Sequence, residues 1–179
     1  ARWMAANVEG FTGPLTVSQF KGGQSNPTYR IDTPAKSYVL RRKPPGALLP
    51  GAHAVDREAR VMAALGGTGF PVPAIYGVCD DPEVIGTPFF VMDMVEGRIV
   101  WEATFPGLLP GNRAAHFDAM NATIARLHSI DPQAIGLGDY CAPAGFVDSQ
   151  RWRWSEQYLS DVLARRAVAM GVSVAWRGG

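Results

Sequence analysis

Apolar positions change their period partway along the chain, near residue 96. Ahead of that point, short runs of β type alternate with Gly/Pro punctuation. Residues 3–8 suit a short helix stopped by Gly10. Leu15, Val17 and Phe20 alternate with Thr16, Ser18 and Gln19, the period of a half-buried strand. Residues 21–27 (KGGQSNP) form a turn rich in residues that tolerate unusual backbone angles. Strands are predicted over residues 28–31 and 38–41, and the short link over 32–36 makes them an antiparallel hairpin. Residues 43–53 (KPPGALLPGAH) hold three prolines and two glycines and fit no regular element. Val55, Ala59, Met62 and Leu65 then recur at helical spacing up to Gly66-Gly67. Two more strands follow, over 74–79 and 88–95. Phe89-Phe90-Val91-Met92 is continuously apolar, as in a strand covered on both faces.

Past residue 96 the patterns lengthen. Phe117, Met120, Ile124 and Leu127 recur at intervals of three and four within a helix predicted over 112–129, a stripe expected to face a core. A further helix is predicted over 149–170, with Trp152, Trp154 and Tyr158 near its start. The order β-β-β-α-β-β followed by helices implies an antiparallel sheet of α+β class, not a doubly wound parallel one.

Composition narrows the function. Basic and acidic residues number 17 and 16, a net charge of +1, with Arg41-Arg42-Lys43 the one basic cluster; nucleic-acid binding is not indicated. Cys79 and Cys141 stand far apart without a CxxC or a histidine at metal spacing, which points to a reducing compartment and to no metal site. No apolar run is long enough to cross a bilayer, so the expectation is a cytoplasmic protein with no membrane partner.

Several segments carry a family resemblance in their chain order. GGQSNPTYRI (22–31) resembles the phosphate-loop segment of aminoglycoside phosphotransferases, and YVLRRKPPG (38–46) their third strand. AHAVDREARVMAAL (52–65) resembles the helix whose acid pairs with a strand cation. GTPFFVMDMVEGR (86–98) resembles the fifth strand and hinge, and IARLHSIDP (124–132) a helix end common in the family. The subgroup it most resembles is found alone in bacteria or fused ahead of acyl-CoA dehydrogenase domains. The resemblance runs from about residue 15 to 158.

It implies a protein-kinase-like fold: a five-stranded antiparallel N-lobe with one helix and a hinge over residues 1–95, then the first helices of a C-lobe over 96–179. ATP is the implied cofactor, with Mg²⁺ only in the complete protein, and an unidentified small molecule is the acceptor. A hydroxylated metabolite such as a hydroxyacyl-CoA fits as readily as an aminoglycoside.

Each site residue has a physical reason. Gly22 and Gly23 let the backbone approach phosphate, while Ser25 and Asn26 offer short polar side chains; an ordinary hairpin turn is the plain alternative. Arg41 stands where a kinase keeps the strand cation that grips phosphate, and a guanidinium can do so with two bonds; a bulge would substitute Arg42 or Lys43. Alternation puts Val39 on the same strand face, under the adenine. Glu58, one turn after Val55, points to the sheet and needs a cation there, with Arg41 the natural partner. Met92 guards the back of the pocket. Asp93 and Val95 offer the backbone C=O and N–H that read adenine.

His128, Ser129 and Asp131 sit too close on a helix end to align as a catalytic triad, so His128 reads as a cap or core residue. His53 and His116 have no partner at ligand spacing. The HGDxxxxN loop of the family is absent: none of the three histidines precedes Gly-Asp, and Gly138-Asp139 follows no histidine. No catalytic residue is therefore assigned, and the chain is expected to be a truncated and inactive front half. The alternative is a non-catalytic nucleotide-binding or interaction module. A lobe without its remainder should expose apolar surface, which predicts self-association through the Phe117/Ile124 helix or the last helix.

Overall fold

Eight elements follow in order: α1 (Arg2–Asn7), β1 (Thr16–Gln19), β2 (Thr28–Asp32), β3 (Ser37–Arg42), α2 (Val55–Gly66), β4 (Ile75–Cys79), β5 (Phe89–Asp93) and α3 (Pro110–His128). The computed structural model describes residues 1–20, 26–46, 53–100, 102, 104–140, 155, 156, 158, 159 and 162. The strands form one sheet ordered β1-β2-β3-β5-β4, antiparallel at every pairing, as the hairpin reading predicts. β4 slips register between Ile75 and Gly77.

The continuous apolar run is covered on both sides. Phe89, Phe90 and Val91 are 2%, 0% and 0% exposed. Phe89 and Val91 join Ile31, Tyr38, Cys79, Met4 of α1 and Val8 just after it on one face. Phe90 points the other way, against Val55 and Ala59 of α2, with Met62, Ile75 and Met92 alongside. Each fully buried side chain of this size stabilises the fold by roughly 1.5–3 kcal/mol before entropy is counted. The 2.0-residue period of β5 thus decides which residue meets which helix. Short as it is, α1 closes the first face: Trp3 meets Phe89 edge-on, ring centroids 4.8 Å apart.

Three local expectations need correction. β1 is an edge strand exposed along its length, with Val17 58% accessible, so its alternation does not mark a half-buried strand. The α2 helix does end at Gly66 with Gly67 as its cap, as its spacing predicts, and a left-handed Gly69 follows a turn in which the Thr68 N–H and hydroxyl both donate to the Leu65 carbonyl. No residue of α3 is buried, and the stripe Phe117, Met120, Ile124, Leu127 stands 45%, 50%, 48% and 39% exposed. A helical stripe marks a face able to pack; Phe105 reaches it edge-on to Phe117 at 5.3 Å, and Leu127 at its far end lines a cleft with Val61 and Leu65. Pro110 at the first turn starts α3 two residues before the predicted point.

Two arginines join α3 and the turn after it to the region of α2. Arg126 donates to the Gly69 carbonyl at 2.7 Å and lies over the Phe70 ring. Arg60 of α2 donates to the Gly136 carbonyl at 2.8 Å. Both acceptor glycines have left-handed backbones, φ +70° and +75°. Between them runs an apolar cleft lined by Val61, Leu65, Leu127, Ile130, Ile135 and Leu137.

The chain divides into two units, Ala1–Leu137 and Gly138–Gly179. Every element named above lies in the first, as does the expected 95/96 boundary. In the second unit Ser155, Glu156, Tyr158, Leu159 and Val162 are helical. The rest of the predicted last helix, with Trp152 and Trp154, lies outside the described residues, as does Cys141. Cys79 is buried and unpaired. No helix among the described residues is long and apolar enough to cross a membrane.

Candidate functional site

β3 carries Val39 and Arg41 on the face that meets α2. Val39 is 6% exposed and pairs across the ladder with Met92, while Arg41 pairs with Phe90. Above Phe90, the Arg41 Nε donates to Glu58 Oε2 at 2.9 Å. Both side chains are about one-third exposed, 28% and 35%. Glu58 reaches this point because it stands one turn beyond Val55, which is 1% exposed against Phe90. A β3 bulge is not needed: Arg42 turns to the other face and its Nε donates to the Lys43 carbonyl.

Arg41 also donates from Nη1 to the Thr28 hydroxyl at 3.1 Å, and that hydroxyl donates to the Asn26 carbonyl at 3.1 Å. Thr28 escaped the sequence reading although the signal was there. Counting the hairpin back from Asp32 opposite Ser37 sets Thr28 opposite Arg41. Among the described residues, two of the five guanidinium donors are used, leaving three for an anion.

Asn26 is 7% exposed, and its Oδ1 accepts from His53 Nδ1 at 2.8 Å. Its side chain is therefore held inside the protein instead of standing free at the loop surface. Gly22, Gly23 and Ser25 lie outside the described residues.

Met92 is half-buried against Phe90 on the α2 face, and Asp93 ends β5. The Asp93 side chain is held from behind. The Tyr76 hydroxyl donates to its Oδ1 at 2.5 Å, and Lys36 Nζ lies 3.3 Å from the same oxygen. Lys36 also donates to the Tyr76 hydroxyl and sits 4.1 Å over that ring and 4.9 Å over Tyr38. The bond to Tyr76 raises the Lys36 ammonium above its ordinary 10.5, with Asp93 adding to it. Burial raises the Tyr76 phenol above its ordinary 10.0, with the Asp93 hydrogen bond second. Val95 has left the sheet and is 64% exposed.

The histidines divide. His116 is fixed by the Asn112 carbonyl, 2.6 Å from Nδ1, and faces Arg98 across Nε2 at 3.3 Å. His128 ends α3 and lines the cleft against α2, consistent with a helix-end role. No group of three His, Cys, Asp or Glu side chains suited to a metal occurs among the described residues. A cavity of about 320 Å³ lies in the segment after β5, lined by Arg98, Glu102, Phe105 and Leu108. A wider groove of about 700 Å³ lies under α1, on the sheet face away from Arg41.

What this geometry offers is a guanidinium held by Glu58 and Thr28 whose remaining donors suit an anion. Comparison with known proteins shows the family. The model of the phosphotransferase enzyme family matches residues 16–173. Acyl-CoA dehydrogenase family member 11 of Homo sapiens is 46% identical over 144 residues, 80% of this chain and 18% of that protein. Acyl-CoA dehydrogenase family member 10 of Mus musculus is 44% identical over 147 residues, 82% of this chain and 14% of that one. A crystal structure of a protein assigned as an aminoglycoside phosphotransferase from Ralstonia eutropha superposes with a TM-score of 0.74 at 49% identity, covering 88% of this chain and 45% of that one. The chain thus spans under half of the solved relative and under a fifth of these two curated ones.

Proposed function

The chain belongs to the phosphotransferase enzyme family, and on that premise we propose that it supplies the ATP-binding lobe of a small-molecule kinase. The observation that carries this reading is the Arg41–Glu58 pair on the α2 face of the sheet. A carboxylate that orients a guanidinium leaves its remaining donors aimed outward, and a fork of fixed N–H groups suits phosphate oxygens. Gly22, Gly23, Ser25 and Asn26 would supply the phosphate loop. Val39 would lie under the adenine and Met92 at the back of its pocket, with the Asp93 carbonyl and Val95 N–H reading its edge.

Magnesium fits the described residues poorly, since no carboxylate cluster stands beside Arg41; no step is assigned to it. The reaction class is phosphoryl transfer to a substrate hydroxyl, which needs a base and metal ligands absent from this chain's HGD-free sequence. The acceptor is a hydroxylated metabolite, with the relatives named for acyl-CoA dehydrogenases favouring an acyl thioester and the solved neighbour an aminoglycoside. The proposed location is cytoplasmic.

Titration of the purified chain with ATP by calorimetry tests this reading. Saturable ATP binding, weakened about five- to twentyfold by Arg41→Ala, is expected; absence of any binding sinks it. ATP turnover by the chain alone would instead refute its catalytic incompleteness.

A second reading, a non-catalytic interaction module, is favoured by one feature: the exposed stripe on α3. Contiguous apolar side chains at this exposure suit association, here with a second copy.

A further inference from the structure

A hydrogen-bonded ring at the head of α2 holds one residue that the ATP-site reading leaves without a role, His53. Its imidazole Nδ1 donates to Asn26 Oδ1 at 2.8 Å. From Asn26 the ring continues through the Thr28 hydroxyl to Arg41 and on to Glu58. It closes through the first turn of α2, where the Glu58 N–H donates to the Ala54 carbonyl and the Val55 N–H to the His53 carbonyl.

His53 also has φ +57°, a left-handed conformation that a residue with a Cβ adopts only at a cost. Such outliers persist where the surroundings over-determine them. Here the surroundings are a buried amide on one side and the start of a helix on the other. Asn26 is 7% exposed, so the bond is shielded from competing water.

We propose that His53 is a positioning residue for the Arg41 guanidinium, tying Asn26 and Thr28 at the entry to β2 to the head of α2. The imidazole touches no phosphate in this role. It holds Asn26, and through Thr28 it fixes the side of the guanidinium that Glu58 does not. Arg41 then presents its remaining donors already oriented, and the ordering cost on binding ATP falls. This inference rests on the reading that Arg41 receives nucleotide phosphates.

The test is calorimetric titration of the full chain with ATP and with adenosine, comparing wild type with His53→Ala, His53→Gly and His53→Gln. Losing one shielded hydrogen bond predicts about five- to tenfold weaker ATP binding in the Ala and Gly variants. Adenosine affinity should change by less than about twofold, because the adenine contacts lie elsewhere. Gln keeps a donor able to reach Asn26 and should recover part of the loss. Gly relieves the backbone cost, so it remains folded even if Ala does not, and thermal melts report this for each variant.

A purely structural histidine would lower the melting temperature while weakening both ligands equally or neither; that result overturns the proposal. If wild type binds ATP no more tightly than adenosine, the reading of Arg41 as a phosphate contact itself fails and the positioning role falls with it. If wild type favours ATP and both Ala and Gly retain that preference, only the role of His53 is lost.

Discussion

Arg41 of β3 and Glu58 of α2, seventeen residues apart, meet at 2.9 Å with about a third of each side chain still exposed. That degree of exposure decides what the pair is for. A partly solvated ion pair contributes at most about 1 kcal/mol to stability, so it is poor glue between helix and strand. As an orienting device it is well placed, since it takes Nε and leaves the outer guanidinium nitrogens for a ligand.

Arg41→Ala and Glu58→Ala should therefore weaken ATP binding by similar factors, about five- to twentyfold, and the double variant should add little. Denaturant melts should move by no more than about 1 kcal/mol. Calorimetry on the three variants decides: an Arg41 effect with no Glu58 effect would show that the carboxylate orients nothing.

Deep burial predicts the opposite balance at Phe90. It is 0% exposed between Val55 and Ala59, so Phe90→Ala should destabilise the fold by about 3–5 kcal/mol. Val17→Thr on the exposed edge strand should stay within about 0.5 kcal/mol. Urea unfolding of the two variants tests the assignment of core and edge.

These contrasts show how far the residues alone revealed the fold. The antiparallel order of the sheet, its two-sided β5 and the Arg41–Glu58 contact were all legible, because periods of 2 and 3.6 fix which side chains share a face. What escaped has physical reasons. Val17 alternates like a half-buried residue, but alternation cannot tell an edge with no cover from one with a helix above it. The α3 stripe reads as core for the same reason. His53 was invisible because its bond to Asn26 depends on a left-handed backbone that no spacing rule encodes. Lys36 and Tyr76 lie forty residues apart, joined only once the sheet is folded.

That Lys36–Tyr76–Asp93 cluster gives the molecule an alkaline dependence. Both Lys36 and Tyr76 hold their protons more tightly when folded, so their stabilisation is complete below the unfolded values and fades as pH rises past them. Stability should be flat from about pH 8 to 9 and fall beyond about pH 10. The double variant Lys36→Met/Tyr76→Phe should flatten the fall. Chemical denaturation across that range measures it, and an unchanged slope in the double variant would remove the cluster from the account.

Self-association is the expected solution behaviour of the α3 face. Phe117, Met120 and Ile124 are each 45–50% exposed, and charging the middle of the stripe should disperse the assemblies. Sedimentation velocity on Met120→Glu and Ile124→Glu should show a smaller weight-average mass than wild type at the same concentration. A wild type that sediments as a monomer throughout would rule the interface out.

The two arginine contacts beside α2 end on carbonyl oxygens, and each carbonyl belongs to a glycine whose backbone has turned left-handed. Backbone acceptors have no side-chain chemistry to conserve or to lose. At Gly136 nothing stands within 4 Å of where a Cβ would be, so crowding is not what demands glycine there. The requirement is the direction in which the peptide plane faces. An alanine at Gly69 or Gly136 would delete no atom of the contact, yet by favouring a right-handed backbone it would swing the acceptor off the arginine. The joint between α2 and α3 is thus written in the chain's handedness, and the apolar residues lining the cleft are free to drift in size so long as two peptide planes keep their heading.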